Sequence, residues 1–172
     1  HSATKYLAGH NDVLAGVVVT DNADLYEKLF YNLNTTGAVL SPFDSYQLIR
    51  GLKTLSLRME RSTANAQEIV AFLEQSPAVK EVLYTGRGGM ISFKVADEKR
   101  IPHILNTLKV FSFAESLGGV ESLITYPTTQ THADIPAEVR HSYGLTDDLL
   151  RLSIGIEDAR DLIEDLRQAL EG

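Results

Sequence analysis

The residues whose types and spacing can do chemistry crowd into the first sixteen positions. They read His1-Ser2-Ala3-Thr4-Lys5-Tyr6, then Leu7-Ala8-Gly9-His10-Asn11-Asp12, then Val13-Leu14-Ala15-Gly16. Lys5 follows Thr4 directly and stands three positions after Ser2. An amine beside two hydroxyls suits a phosphorylated aldehyde, because the hydroxyls can hydrogen-bond the phosphate while the amine condenses with the carbonyl. The same types also suit a solvated lysine after an ordinary Ser/Thr turn, so residue types alone leave both readings open.

A second candidate is Arg151, in Leu149-Leu150-Arg151-Leu152-Ser153-Ile154-Gly155-Ile156-Glu157. An arginine in an apolar strand is costly unless it is paired, since its charge must be desolvated. A planar guanidinium makes two parallel bonds to a carboxylate, so an anionic partner is expected there. Thr85-Gly86-Arg87-Gly88-Gly89 invites a phosphate-loop reading but lacks the Lys-Ser/Thr and the following helix, and reads as a tight hairpin. The five histidines include no His-x-x-x-His pair, and no metal site is expected. His132 reads as a hydrogen-bonded loop histidine rather than a site residue.

The elements that must position these groups belong to a chain of 172 residues, enough for one domain, or one domain and a fragment, with a real core. Hydrophobic residues make up 44 % and charged ones 23 %, an ordinary balance for a globular protein. The formal net charge of −7 argues against nucleic acid or an anionic membrane surface as a main partner. Without cysteine there is neither a disulfide nor a thiolate metal site, which is compatible with a reducing compartment. No apolar run approaches the roughly 20 residues that span a bilayer, and no signal peptide is expected.

In chain order, residues 13–20 read as a buried strand around Val17-Val18-Val19. Asp21 or Asn22 caps a helix with Leu25, Leu29, Phe30 and Leu33 on one face, and 34–37 is a loop. Ser41-Pro42 opens a helix that can run to about residue 75, with Gly51 and Ser62-Thr63 as weak points. Strands are expected at 79–84, 90–95 and 110–113, and a helix at 98–108. Residues 157–170 form a closing helix with Ala159, Leu162, Ile163, Leu166 and Leu170 on one face.

Taken as strings, these segments resemble a known family. Ser2-x-Thr4-Lys5-Tyr6, then Gly9-His10-x-Asp12, then Gly16 before an apolar run is similar to the lysine motif of the pyridoxal-phosphate (PLP) enzymes of cysteine and methionine metabolism. That family comprises cystathionine β-lyases, γ-lyases and γ-synthases, with methionine γ-lyase and the homoserine sulfhydrylases. Ala114-Glu115-Ser116-Leu117-Gly118-Gly119-Val120-Glu121-Ser122-Leu123 resembles its substrate-side loop. Arg50 to Leu55 with Arg58 to Arg61 resembles the long helix joining its two domains.

The resemblance implies an α/β fold, that of the fold-type I PLP-dependent transferases. Residues 1–40 would end the large PLP-binding domain, 41–75 would form the connecting helix and 76–172 the small C-terminal domain. It implies Lys5 as the Schiff-base lysine and Ser2 and Thr4 as phosphate contacts. Arg151 and Ser116 would hold the substrate α-carboxylate, with Glu115 and Thr131 on the substrate side. The activity implied is elimination or replacement at Cβ or Cγ of a sulfur amino acid such as cystathionine, in a cytoplasmic homotetramer. In the family the lysine lies near the middle of a chain more than twice this length. A missing N-terminal half would therefore carry the acid on the pyridine nitrogen, the stacked aromatic and further phosphate ligands. The alternative class is a non-catalytic fragment or assembly domain with the same fold and an incomplete site. One departure stands out: relatives usually carry some twenty or more residues where this chain has 85–89, so the loop is either a true deletion or an omitted segment.

Overall fold

The chain runs α1 (Ala23–Thr36), α2 (Pro42–Leu52), α3 (Leu55–Leu73), β1 (Val79–Leu83), β2 (Met90–Val95), α4 (Ile101–Thr107), β3 (Ser112–Phe113), β4 (Leu123–Thr125), α5 (Ala137–Ser142), β5 (Leu149–Ser153) and α6 (Ala159–Glu171) in a computed structural model that describes residues 1–172. It divides into two units, His1–Leu55 and Ser56–Gly172.

In the second unit the strands form one sheet in the order β1-β2-β5-β4-β3. The first four are antiparallel neighbours, and β3 runs parallel to β4. Register opposes Ile91 and Ile124 to Leu152, and Phe93 to Leu150. Side chains alternate across a strand, so these residues share one face. That face is the core. Ala66, Ile69 and Leu73 of α3, Ile101 and Ile104 of α4, and Leu162, Leu166, Ala169 and Leu170 of α6 belong to the same buried cluster. Each large apolar side chain buried there stabilises the fold by roughly 1.5–3 kcal/mol relative to exposure. The intervening residues Ser92, Arg151 and Thr125 oppose one another across β2, β5 and β4, and so stand on the other face. Alternation thus puts the strand arginine opposite the core.

Strands β1 and β2 form the expected hairpin. In the loop between them the Tyr84 hydroxyl donates to the Gly88 carbonyl at 2.8 Å, and Gly88 N–H donates to Thr63 Oγ1 of α3 at 3.1 Å. The helix expected at 98–108 is instead a 3₁₀ turn, Glu98–Arg100, running into α4, with Pro102 in the first turn, where a missing N–H does no harm. Asp158 caps α6, accepting from Arg160 N–H. Strand β4 and helix α5 were not anticipated from the sequence.

In the first unit a wide helical turn, Ala3–Leu7, is closed by Ala8 N–H on the Ala3 carbonyl at 3.0 Å. Ala3, Ala8, Val13 and Leu48 form a small buried cluster. A Cβ on Gly51 would strike the Ala8 carbonyl, so α2 meets this turn backbone to backbone.

Three expectations fail here. Residues 13–20 do not form a strand: Ser2 and Gly16 make one bridge, Ala3 and Thr4 N–H share the Ala15 carbonyl, and Val17 N–H donates to the His1 carbonyl. Val18 and Val19 are 72 % and 77 % exposed. An apolar run becomes a strand only where a neighbour offers ladder partners, and 17–20 pair with none of the five strands. Helix α1 runs to Thr36, past the expected loop start, and stops at left-handed Gly37; none of its residues is buried. The single helix expected from 41 to 75 breaks at Lys53-Thr54. There N–H groups turn to carbonyls three residues back, and the Thr54 hydroxyl also donates to the Gly51 carbonyl at 3.1 Å.

Candidate functional site

Thr4 is half-buried, and its Oγ1 accepts the Ala15 N–H at 3.0 Å. Its own proton goes to the Ala15 carbonyl over a long 3.3 Å, so a better acceptor can take it. Ser2 is exposed. Lys5 is half-buried and kinks the turn with φ −91° and ψ −128°. Two hydroxyls that can donate to a phosphate, one of them next to the lysine in sequence, fit a phosphorylated aldehyde such as PLP.

In the second unit Arg151 is half-buried in the middle of β5. Its Nη2 donates to the Ser116 carbonyl at 3.0 Å and to Thr125 Oγ1 at 3.2 Å. Its Nε is buried with no acceptor in the chain. Burial lowers the guanidinium pKa from its ordinary value, with exposed Glu115 partly offsetting this by its charge. Thr125, itself buried, passes its hydroxyl proton to the Ala114 carbonyl at 2.9 Å and so presents a lone pair to Arg151. A guanidinium held by neutral oxygens, with a donor left over, has the chemistry to pair with a carboxylate.

Ser116 adopts φ +92°, a region that residues with a Cβ rarely enter. In this conformation its carbonyl accepts from Arg151 Nη2. Thr131 lies apart from these contacts: it is exposed, and its hydroxyl pairs with His132 Nδ1 at 2.8 Å. The structure therefore gathers Arg151, Ser116 and Glu115 in one unit, and Ser2, Thr4 and Lys5 in the other. Sequence reasoning missed Thr125, which takes its place beside Arg151 through cross-strand register, a relation that a linear sequence does not display.

Comparison with known proteins bears on the whole chain. Residues 1–171 match the family model described as Cys/Met metabolism PLP-dependent enzyme. The cystathionine gamma-synthase/O-acetylhomoserine (thiol)-lyase of Bacillus subtilis is 59 % identical over 170 residues, covering 99 % of this chain and 46 % of that protein. The cystathionine gamma-lyase of the same organism is 51 % identical over 187 residues, covering 99 % and 49 %. The crystal structure of a cystathionine gamma-lyase from Micromonospora echinospora superposes with a TM-score of 0.96 at 38 % identity, over 99 % of this chain and 49 % of that one. The chain spans about half the length of the curated relatives it matches, and its α/β fold is that of the corresponding half of a fold-type I PLP enzyme. No helix is long and apolar enough to cross a membrane. A lysine preceded by two hydroxyls, a half-buried arginine bonded to neutral oxygens and a family match over nearly every residue agree: the chain belongs to the PLP-dependent enzymes of cysteine and methionine metabolism.

Proposed function

We propose that residues 1–172 are the C-terminal portion of an enzyme that eliminates or replaces the group on Cβ or Cγ of a sulfur amino acid such as cystathionine. Residues 1–40 belong to its large domain, 41–75 to the connecting segment and 76–172 to its small domain. Lys5 holds PLP, with Ser2 and Thr4 donating to the phosphate. When bound, the cofactor supplies an electron sink for charge developing at the substrate Cα. Once the substrate amine has taken its place on the cofactor, the freed Lys5 Nζ would take and return the Cα proton as general base. Arg151 grips the α-carboxylate, the Ser116 segment completes that grip, and Glu115 and Thr131 face the substrate side chain. The intact protein is a cytoplasmic homotetramer.

The observation that carries this reading is the half-buried Arg151 guanidinium, which is held by neutral oxygens and makes no ion pair within the chain. A desolvated charge of this kind is retained where an anionic ligand completes it. The short 85–89 loop narrows the chemistry. Alignment over 170 residues leaves the B. subtilis γ-synthase-type relative no room for a longer loop, whereas alignment over 187 gives the γ-lyase about 17 more residues within the span. The loop is thus a feature shared with a γ-synthase-type relative, which favours replacement at Cγ. The test supplies the full-length protein and PLP with O-acetyl-L-homoserine and L-cysteine, and separately with L-cystathionine. Formation of cystathionine, with slower release of 2-oxobutyrate or pyruvate, is expected. A PLP-loaded protein that performs none of these reactions contradicts the proposal.

A further inference from the structure

The segment between β3 and β4 that carries Ser116 is tied down at two points. Gly118 N–H donates to the hydroxyl of buried Ser153, two residues after Arg151, at 2.8 Å. Ser122 is held by Glu157: its N–H donates to Oε1 at 2.5 Å and its hydroxyl to Oε2 at 2.9 Å. That hydroxyl also accepts the Gly155 N–H at 2.9 Å. Asn65 of α3 in turn donates to the carbonyls of Gly155 and Glu157 at 3.2 and 2.8 Å. Ser122 and Asn65 are 0 % and 1 % exposed and Glu157 is half-buried, so much of the network is shielded from water. A Cβ on Gly155 would strike the Val120 carbonyl and the Glu157 carboxylate, which shows how closely the two segments press together.

This anchoring bears on Arg151. The strained Ser116 sits between β3 and the Gly118 tie, and its carbonyl is one of two oxygens orienting the guanidinium. Strained backbone persists only where its surroundings over-determine it. We propose that Glu157 is a positioning residue for the carboxylate site: by gripping Ser122 with both oxygens it fixes the segment whose Ser116 carbonyl orients Arg151. The proposal rests on reading Arg151 as the α-carboxylate ligand. Glu157 acts only through Ser122 and the segment it anchors. Glu157→Gln keeps the volume but removes the charge and puts an NH₂ group where the oxygen that accepts the Ser122 O–H stood, so that hydroxyl loses its acceptor and the grip is weakened.

The experiment uses the full-length PLP-loaded protein and compares inhibition by L-alanine with inhibition by its methyl ester, which keeps the amine and loses the carboxylate charge. Glu157→Gln is expected to reduce the preference for L-alanine about tenfold, with ester affinity and cofactor absorbance unchanged. A role in stability alone would weaken both ligands equally or neither, and either result overturns the proposal. If Arg151→Lys erases the preference while Glu157→Gln retains it, the positioning role is wrong and the carboxylate reading stands. If Arg151→Lys also retains it, both are wrong. Should Glu157→Gln lose its native circular dichroism, Ser122→Ala is measured in its place, with the same expectations.

Discussion

At the scale of the residue, the unusual feature is a half-buried cation that forms no ion pair. Arg151 Nε is buried without an acceptor, and Nη2 is spent on neutral oxygens. Lysine at this position keeps the charge but loses the planar fork. Arg151→Lys is therefore expected to raise KM for cystathionine in the full-length enzyme and lower kcat/KM by about 1.5–3 kcal/mol, the scale of a charged hydrogen bond. Steady-state kinetics checks this, and an unchanged KM removes the carboxylate role. Arg151 was legible as a candidate because an arginine among leucines contradicts its surroundings. Thr125 and Glu157 were not, because what makes them informative is register and a contact across 35 residues between Ser122 and Glu157. Thr131 was marked only by resemblance, and its exposed hydroxyl bonded to His132 adds no geometry in support.

At the scale of the element, period and punctuation were legible where an element's partners lie in the same unit. Strand β2 forms where it was read and packs its Ile91, Phe93 and Val95 face into the core; α6 buries the expected stripe, with Ile163 at its partly buried edge. Residues 13–20 carry an equally apolar pattern and stay irregular, since a strand needs a neighbour as much as a sequence. Asp165 within α6 and its N-cap Asp158 play unlike roles. Buried Asp165 accepts the N–H groups of Lys109, Val110 and Phe111 at 2.8, 2.8 and 2.9 Å, fixing the approach to β3. Asp165→Ala orphans these donors and is expected to destabilise the chain by about 2–4 kcal/mol, measured by urea unfolding. A loss below experimental error contradicts the clamp. Asp158, at the helix start, is held at a pKa of about 2 by the Arg160 side chain and backbone N–H, against an ordinary 3.8. A depressed carboxylate stabilises the folded state fully above 3.8 and loses that contribution as pH falls through about 2. The gap in urea midpoint between the unmodified chain and Asp158→Asn is therefore expected to narrow as pH drops from 5 to 2. A gap that stays constant contradicts the assignment.

At the scale of the whole molecule, the two units differ in completeness. The second closes a core on one face of its sheet, whereas the first leaves Val18, Val19 and the apolar stripe of α1 exposed. With the chain spanning about half the length of its relatives, residues 1–172 expressed alone are expected to show no turnover of cystathionine in the presence of PLP, by assay of pyruvate and 2-oxobutyrate. Turnover by the purified fragment would mean that these residues suffice for a complete site. The central claim is more specific: Lys5 is the residue that holds the cofactor. It is tested most directly by loading the full-length protein with PLP, reducing it with borohydride and mapping the labelled peptide. The pyridoxyl group is expected on Lys5, with Lys5→Ala retaining PLP only non-covalently and losing turnover. A label on any other lysine, or an active Lys5→Ala enzyme, contradicts it.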